Sequence, residues 1–327
     1  TCVHTVQKKL SEFVGEIFSK FDYIVFIMAT GIVVRSIAPY IISKFSDPAI
    51  LVMDEKGKNV ISLLSGHIGG ANSLTQYISS LIDANPVITT ATDINQKASL
   101  DMIAKKLNAH IDNFRESVKE VNSMLVNNKC VGLYVDEGYQ VDTRGFKLIE
   151  SKDELRDSFS NTYIEKLVVV SNKINCIEDI ENLNLDNKFE HCYSTQKIIK
   201  VIPRDIVIGI GCRRNTDSEL MYNSLEEFLN KQNIDIRAIN TVGSIELKKD
   251  EKAIIELSKI LKVPFKTFSV DEISKVDNLF DKSDFVKKNV GVYSVAEPVA
   301  YLLSKGNLLV EKHKYKGITF SVGRIKI

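Results

Sequence analysis

The sequence predicts an α/β protein: two α/β domains with mainly parallel sheets, joined by a smaller, variable middle region. Three observations carry this expectation. From residue 23 to about 113, short apolar runs alternate with amphipathic helical patterns. A fresh alternation of strand and helix begins at Asp205. Between the two lies a polar, Asn-rich stretch at residues 172–196. The expected divisions are residues 1–113, 114–202 and 203–327.

The first element is a helix, with Leu10, Phe13, Val14, Ile17 and Phe21 at helical spacing. The chain opens at Thr1 without Met, so an initial strand, and with it one edge of the sheet, is expected to be missing. Residues 23–28, 49–53, 60–64 and 86–90 read as strands that are apolar on both faces, the pattern of a sheet covered on both sides. Helices are expected at 33–42, 70–82 and 97–107. In the middle region Phe114, Val118, Val121 and Leu125 share one helix face, and strands fall near 130–135 and 167–171. Residues 172–196 read as the linker, although Ile174, Ile177, Ile180, Leu183 and Leu185 keep it short of the composition that forces disorder. The last domain begins with a strand at 206–210, a loop at 211–216 and a helix carrying Met221, Leu225, Phe228 and Leu229. Thr216 reads as its N-cap, with Glu219 as the capping-box partner. Further strands are expected at 234–241, 264–268, 308–312 and 318–322, the last two as a hairpin about 315–317, with helices at 251–261 and 295–303.

Composition narrows the function classes. The chain has 327 residues, with 43 Lys plus Arg against 42 Asp plus Glu, a formal charge of +1. A body-wide nucleic-acid binder would be strongly basic, so none is expected. No apolar run approaches the roughly 18 residues of a membrane span. Lys8, Lys9, Glu12 and Glu16 interrupt any signal-peptide core. Cys2, Cys130, Cys176, Cys192 and Cys212 are odd in number and scattered without a Cys-x-x-Cys, which fits a reducing cytoplasm. His67, His110, His191 and His313 lie far apart, and no metal site is expected.

Candidate chemistry gathers where strands lead into helices. The stretch Ser65-Gly66-His67-Ile68-Gly69-Gly70-Ala71-Asn72 surrounds one histidine with three glycines. Backbone can approach a ligand closely there, and the amides opening the next helix suit a carboxylate or phosphate. The alternative is a Gly-rich turn carrying a solvated histidine. Thr89-Thr90-Ala91-Thr92-Asp93 ends an apolar strand in hydroxyls and a carboxylate, with Asp93 either a site residue or a helix cap. Thr30 and Gly31 open a third junction, from which Arg35 either snorkels to the surface or faces an anion. In the last domain Gly209-Ile210-Gly211-Cys212-Arg213-Arg214-Asn215-Thr216 lacks the third glycine of a dinucleotide fingerprint and the Lys of a P-loop. Arg213 and Arg214 suit carboxylates instead. Cys212 is either an activated thiol or a small buried residue, and Glu297 either a site residue or a complement to a helix dipole.

Taken together, these motifs resemble the cobalt-precorrin-5A hydrolases, the CbiG family. The amino-terminal resemblance runs through Gly31-Ile32-Val33-Val34-Arg35, Asp47-Pro48-Ala49, residues 61–72 and residues 86–93. The carboxyl-terminal one runs through residues 209–216, Ser244-Ile245-Glu246-Leu247-Lys248, Val295-Ala296-Glu297-Pro298 and Gly317-Ile318-Thr319-Phe320. It is slight in the middle. The resemblance implies an enzyme of anaerobic cobalamin biosynthesis that opens the δ-lactone of cobalt-precorrin-5A and releases acetaldehyde, leaving cobalt-precorrin-5B. It implies no protein cofactor, because cobalt arrives with the substrate. On this reading His67 is the expected base, since an unperturbed imidazole titrates near neutrality, and Asp93 orients it or replaces it. Thr30, Gly31, Arg35, Ser65, Gly66, Gly69, Gly70, Asn72, Thr90, Thr92, Arg213, Arg214 and Glu297 are the expected substrate contacts. The partner is a cobalt-containing tetrapyrrole; neighbouring cobalamin-pathway enzymes and a second copy in a homodimer stay open, with no nucleic acid and no membrane. Two alternatives are a non-catalytic tetrapyrrole carrier, whose anion-binding residues would look the same, and a nucleotide-binding regulator resting on the Gly209 loop alone.

Overall fold

The computed structural model describes residues 3, 5–44, 46–151, 154, 164–176 and 198–327. Cys2, His191, Cys192 and residues 177–196 of the expected linker, including Ile177, Ile180, Leu183 and Leu185, lie outside the described residues. The described chain forms an α/β fold of three sheets, falling into two compact units. The first unit comprises residues 1–105, 118–129 and 142–145; the second comprises 106–117, 130–141 and 146–327.

In the first unit the sheet order is β1-β2-β3-β4, formed by Tyr23–Ile27, Ala49–Met53, Asn59–Leu64 and Asn85–Val87. Val14, Phe18, Val33 and Ile37, from the helices Leu10–Phe18 and Thr30–Ile37, bury Ile24, Phe26, Ile50 and Val52 on one face. Ala71 of the helix Ala71–Ile82 covers Ala49, Leu51 and Val60 on the other. β1 runs parallel to β2 and β3 parallel to β4, but β2 and β3 are antiparallel. The reversal is made at Asp54, whose carboxylate accepts from the amides of Lys56, Lys58 and Asn59. Gly57 completes the turn at φ +64°. This hairpin decides which junctions can meet. Met53 pairs with Ile27 and Val60, whereas Ile50 pairs with Leu64, so the loop after β1 and the loop after β3 leave opposite ends of the sheet.

The second unit holds two sheets. The middle one is parallel throughout, in the order β6-β5-β7-β8: Lys147–Ile149, Val131–Val135, Lys166–Val170 and Ile198–Val201. The last is ordered β11-β10-β9-β13-β12: Phe265–Phe268, Ile239–Ile245, Ile206–Cys212, Ile318–Arg324 and Leu308–Tyr315. β9, β10 and β11 are parallel, and β12 and β13 form the expected antiparallel hairpin. Met221, Leu225 and Phe228 of the helix Ser218–Lys231 fill its core. Gly209 lies within β9, as expected, and the strand runs on through Gly211 and Cys212; a Cβ at Gly209 would collide with the Ala296 carbonyl, so this glycine lets the helix Ala296–Leu303 press onto the sheet.

Several boundaries differ from expectation, each for a local reason. The N-cap of Ser218–Lys231 is Asp217, whose carboxylate accepts from the Leu220 amide at 2.8 Å. Thr216 is turned away, its hydroxyl donating to the Arg213 carbonyl and its amide to Glu251. The strand expected at 234–241 starts only at Ile239, because Asp235 caps a 3₁₀ turn over Ile236–Ala238. The helix expected at 97–107 is shorter, Leu100–Lys106, and a separate helical turn, Ala91–Ile94, precedes it where the end of a strand was expected. Pro39 lies in a 3₁₀ turn over Ala38–Tyr40, after the α-helix has ended at Ile37.

Candidate active site

The loop that follows β3 is shaped by close backbone approach. Ser65 takes a left-handed φ of +56°, its hydroxyl donating to the Asp47 carbonyl at 3.0 Å. Gly69 packs against Ser65 so tightly that a Cβ there would strike the Ser65 side chain and carbonyl. The amides of Gly70, Ala71 and Asn72 are committed to the carbonyls of His67, Ser65 and Gly66. Among the described residues, those of Gly66, His67, Ile68 and Gly69 have no backbone acceptor. They are the amides left for a ligand. Lys105 fastens the loop from below, donating to the Ile68 carbonyl at 2.5 Å.

At the crest sits His67, with 17% of its side chain exposed and both ring nitrogens facing carboxylates. Nε2 lies 2.8 Å from Asp93 Oδ2 and 3.1 Å from Thr92 Oγ1. Nδ1 lies 3.3 Å from Asp101 Oδ2. Asn72 ties the other side together: Nδ2 donates to Asp93 Oδ2 at 2.8 Å and to Thr90 Oγ1 at 2.9 Å, while Oδ1 accepts from Ser62 at 2.6 Å. Asp101, buried in the helix Leu100–Lys106, accepts from Asn122 Nδ2 at 2.8 Å, and Asn122 Oδ1 accepts from the Leu100 amide at 2.8 Å. Hydrogen bonds therefore run from Ser62 through Asn72 and Asp93 to His67, and the His67–Asp101 ion pair carries the chain on to Asn122.

The electrostatics follow from that chain. The hydrogen bond to Asp101 raises the His67 imidazole above its ordinary value; burial opposes this and Asp93 adds to it. Burial pushes the Asp101 carboxyl up, but the bonds from His67 and Asn122 outweigh it and the net shift is down. The two facing carboxylates favour the charged form of the ring. Of the two carboxylates Asp93 is the more accessible, its side chain 35% exposed against 4% for Asp101.

The structure thus brings His67, Asp93, Asn72, Thr90 and Thr92 together, with Ser65, Gly66, Gly69 and Gly70 shaping the loop around them. It does not bring Thr30, Gly31 and Arg35 there. These lie at the opposite end of the sheet, beyond the reversal at Asp54, and the exposed Arg35 guanidinium folds back over Gly31. In the second unit the exposed Arg213 lines a cavity, while Arg214 is bound to Asp250 at 2.6 Å and to the Leu247 carbonyl at 2.5 Å. Glu297 is buried, accepting from Lys312 Nζ at 3.2 Å and from the Lys312 amide and Ser294 hydroxyl. Burial pushes the Cys212 thiol up, the opposite of activation.

Comparison with known proteins bears on these residues directly. Three family descriptions match in order: Cobalamin synthesis G N-terminal over residues 12–93, Cobalamin biosynthesis central region over 98–185, and Cobalamin synthesis G C-terminus over 206–323. A cobalt-precorrin-5A hydrolase from Salmonella typhimurium is 41% identical over 94% of this chain and 83% of that protein. The chain belongs to the CbiG family. A second relative, the cobalt-precorrin-5A hydrolase of Priestia megaterium, is 30% identical over 94% of this chain and 80% of that protein. A solved structure of a cobalamin biosynthesis protein G homologue from Sulfolobus solfataricus is 23% identical, covers 95% of this chain and 85% of that one, and superimposes with a TM-score of 0.37.

The central match adds a stretch of CbiG sequence in which the motif resemblance was slight, and part of it lies in the site. Asp101 and Asn122 both fall within residues 98–185, and sequence reasoning missed both. Asp101 left one usable signal, an acid beside the apolar positions Leu100, Ile103 and Ala104 of a helix. Asn122 left none, because a neutral amide next to Val121 reads as the edge of an apolar face. Among the described residues of this CbiG chain, no group of three or more His, Cys, Asp or Glu is placed to hold a metal ion. No helix there is long and apolar enough to cross a membrane.

Proposed function

We propose that the chain is a cobalt-precorrin-5A hydrolase, opening the δ-lactone of its substrate and releasing the two-carbon fragment as acetaldehyde. The observation that carries this reading is the 41% identity to a hydrolase of that name across 94% of the chain. The His67–Asp93 site supplies chemistry that suits it.

Asp93 takes a proton from water as the water oxygen bonds to the lactone carbonyl carbon. The resulting oxyanion is met by the free amides between Gly66 and Gly69. Its collapse re-forms the carbonyl and breaks the ring C–O bond. The departing alkoxide is stabilised by the His67 imidazolium, which Asp101 keeps charged. Re-formation of a C=O bond at that oxygen expels acetaldehyde, and the electron pair of the broken C–C bond passes into the conjugated macrocycle. Cobalt and conjugation both come with the substrate, so the reading asks no separate cofactor of the protein.

The test is anaerobic incubation with cobalt-precorrin-5A, following acetaldehyde. Asp93→Ala is expected to lower the rate by roughly 10²–10⁴-fold, the usual range for a lost general base. His67→Ala is expected to cost about 10²–10³-fold, as for a lost charge-stabilising donor. Unchanged acetaldehyde release in a folded His67→Ala protein would rule this site out.

A further inference from the structure

A cavity of about 840 Å³ in the second unit is lined by none of the residues of the His67 centre, which belong to the first unit. Its wall carries six cations and one carboxylate, Asp281, which lies 3.5 Å from Lys312. Arg214, Lys248 and Lys312 are already paired with Asp250, Glu251 and Glu297. Arg213, Lys282 and Lys314 also line the cavity, and none of them forms an ion pair among the described residues. Lys282 only stacks over Tyr293, 5.2 Å from the ring centroid. The same wall exposes large apolar groups: Phe285 is 78% exposed and Leu247 46%.

Phosphate is a poor match. The adjoining start of the helix Ser218–Lys231 is filled by the protein's own carboxylates, with Asp217 on the Leu220 amide and Glu251 on the Thr216 amide. A phosphate there would meet negative charge where a phosphate loop offers bare amides. What remains is a set of separated side-chain cations around an apolar surface. That combination suits a broad, flat molecule bearing several carboxylates at its rim.

We propose that this cavity is a second ligand site, which binds a polycarboxylated tetrapyrrole independently of the His67 centre. The ligand class rests on the hydrolase reading above; the site rests on the cavity. Glu297 acts from behind the wall, fixing the Lys312 ammonium.

The experiment is a fluorescence titration of the full chain with uroporphyrin III, a stable tetrapyrrole with eight carboxylates. Saturable binding is expected, weakened about tenfold or more in Arg213→Ala/Lys314→Ala and by several-fold in Phe285→Ser. Raising the salt should weaken it too, as screening requires. His67→Ala should bind as the parent does. Arg213, Lys314 and Phe285 are exposed, and an unchanged circular dichroism spectrum would show that these variants and His67→Ala fold. A titration indifferent to both the double substitution and Phe285→Ser would overturn the proposal, as would loss of binding in His67→Ala alone. The two readings fail differently. A protein that binds uroporphyrin through Arg213 and Lys314 yet releases no acetaldehyde from cobalt-precorrin-5A keeps the cavity and loses the hydrolase. Acetaldehyde release with a titration blind to those residues does the reverse.

Discussion

Asp101 is the residue on which the charge state of His67 turns. It is buried, anchored by Asn122, and bonded to the ring nitrogen that does not face Asp93. As a positioning residue it should reveal itself in pH dependence more than in substrate affinity. His67 has a raised native value, so the stability of its ion pairs is fully present below the unfolded value of 6.5 and is lost as pH rises through the native one. Activity that needs the imidazolium falls over the same rise. In Asp101→Asn the charge is gone but the shape remains, so the imidazole should titrate closer to 6.5. Acetaldehyde release should drop about 10–100-fold, with its alkaline limb moved to lower pH and KM nearly unchanged. NMR titration of the His67 ring checks the first expectation and a pH–rate profile the second. An alkaline limb that stays in place would mean that Asp101 serves packing alone. From sequence alone, a histidine that titrates near neutrality reads as a base. The burial of a second carboxylate, donated by a helix 34 residues further along, is what no local motif could display.

At the scale of single elements, local chemistry decided where the sequence could be read and where it could not. Strands rich in Val, Ile and Leu, such as Ala49–Met53 and Lys166–Val170, announce themselves because burial on both faces leaves an unbroken apolar run. The short strands Lys147–Ile149 and Ile198–Val201 do not, because three or four residues at the margin of a sheet are held by pairing more than by composition. The N-cap of Ser218–Lys231 shows a subtler failure: Thr216 and Asp217 are both good caps, and only the capture of the Thr216 amide by Glu251 selects the second. Asp217→Ala should therefore cost about 1 kcal/mol in urea unfolding, with Thr216→Ala costing clearly less. Equal losses would refute the assignment. A larger penalty belongs to Gly209, where packing of one element on another leaves no room. Gly209→Ala must push the helix Ala296–Leu303 off β9, and a loss of about 3 kcal/mol or more is expected, at the upper end of overpacking effects.

At the scale of the whole chain, the sequence conveyed the class of each sheet but not the reversal inside the first one, so it placed Arg35 beside a junction that leaves the other end. Nor did it show why the middle and last sheets cluster as one unit. Besides backbone pairing of residues 172–174 with 233–235, two buried carboxylates of the last domain bind residues of the middle one. Asp205 accepts from Tyr139 at 2.9 Å, Asn172 at 3.0 Å and Arg324 at 2.6 Å. Asp235 accepts from Lys200 of β8 at 2.9 Å and from Arg237 at 2.8 Å. Because acids and bases alternate throughout a nearly neutral sequence, nothing marks these two among the 42 acidic residues. Their effect should be visible in acid. Burial pushes Asp235 up, but its bonds from Arg237 and Lys200 prevail and bring it down to about 2. A depressed carboxylate contributes stability that is complete above the unfolded value of 3.8 and fades as pH falls towards about 2. Urea unfolding of the second unit at a series of pH values should thus show a steep loss of stability across that window. In Asp235→Asn the slope should flatten there, while at pH 7 the protein is weaker by about 3–5 kcal/mol, since Lys200 is left with its charge buried and unpaired. A substituted protein that kept the parent's acid slope would show that Asp235 does not set the acid window, leaving the join to the Asp205 bonds and to the backbone pairing of residues 172–174 with 233–235.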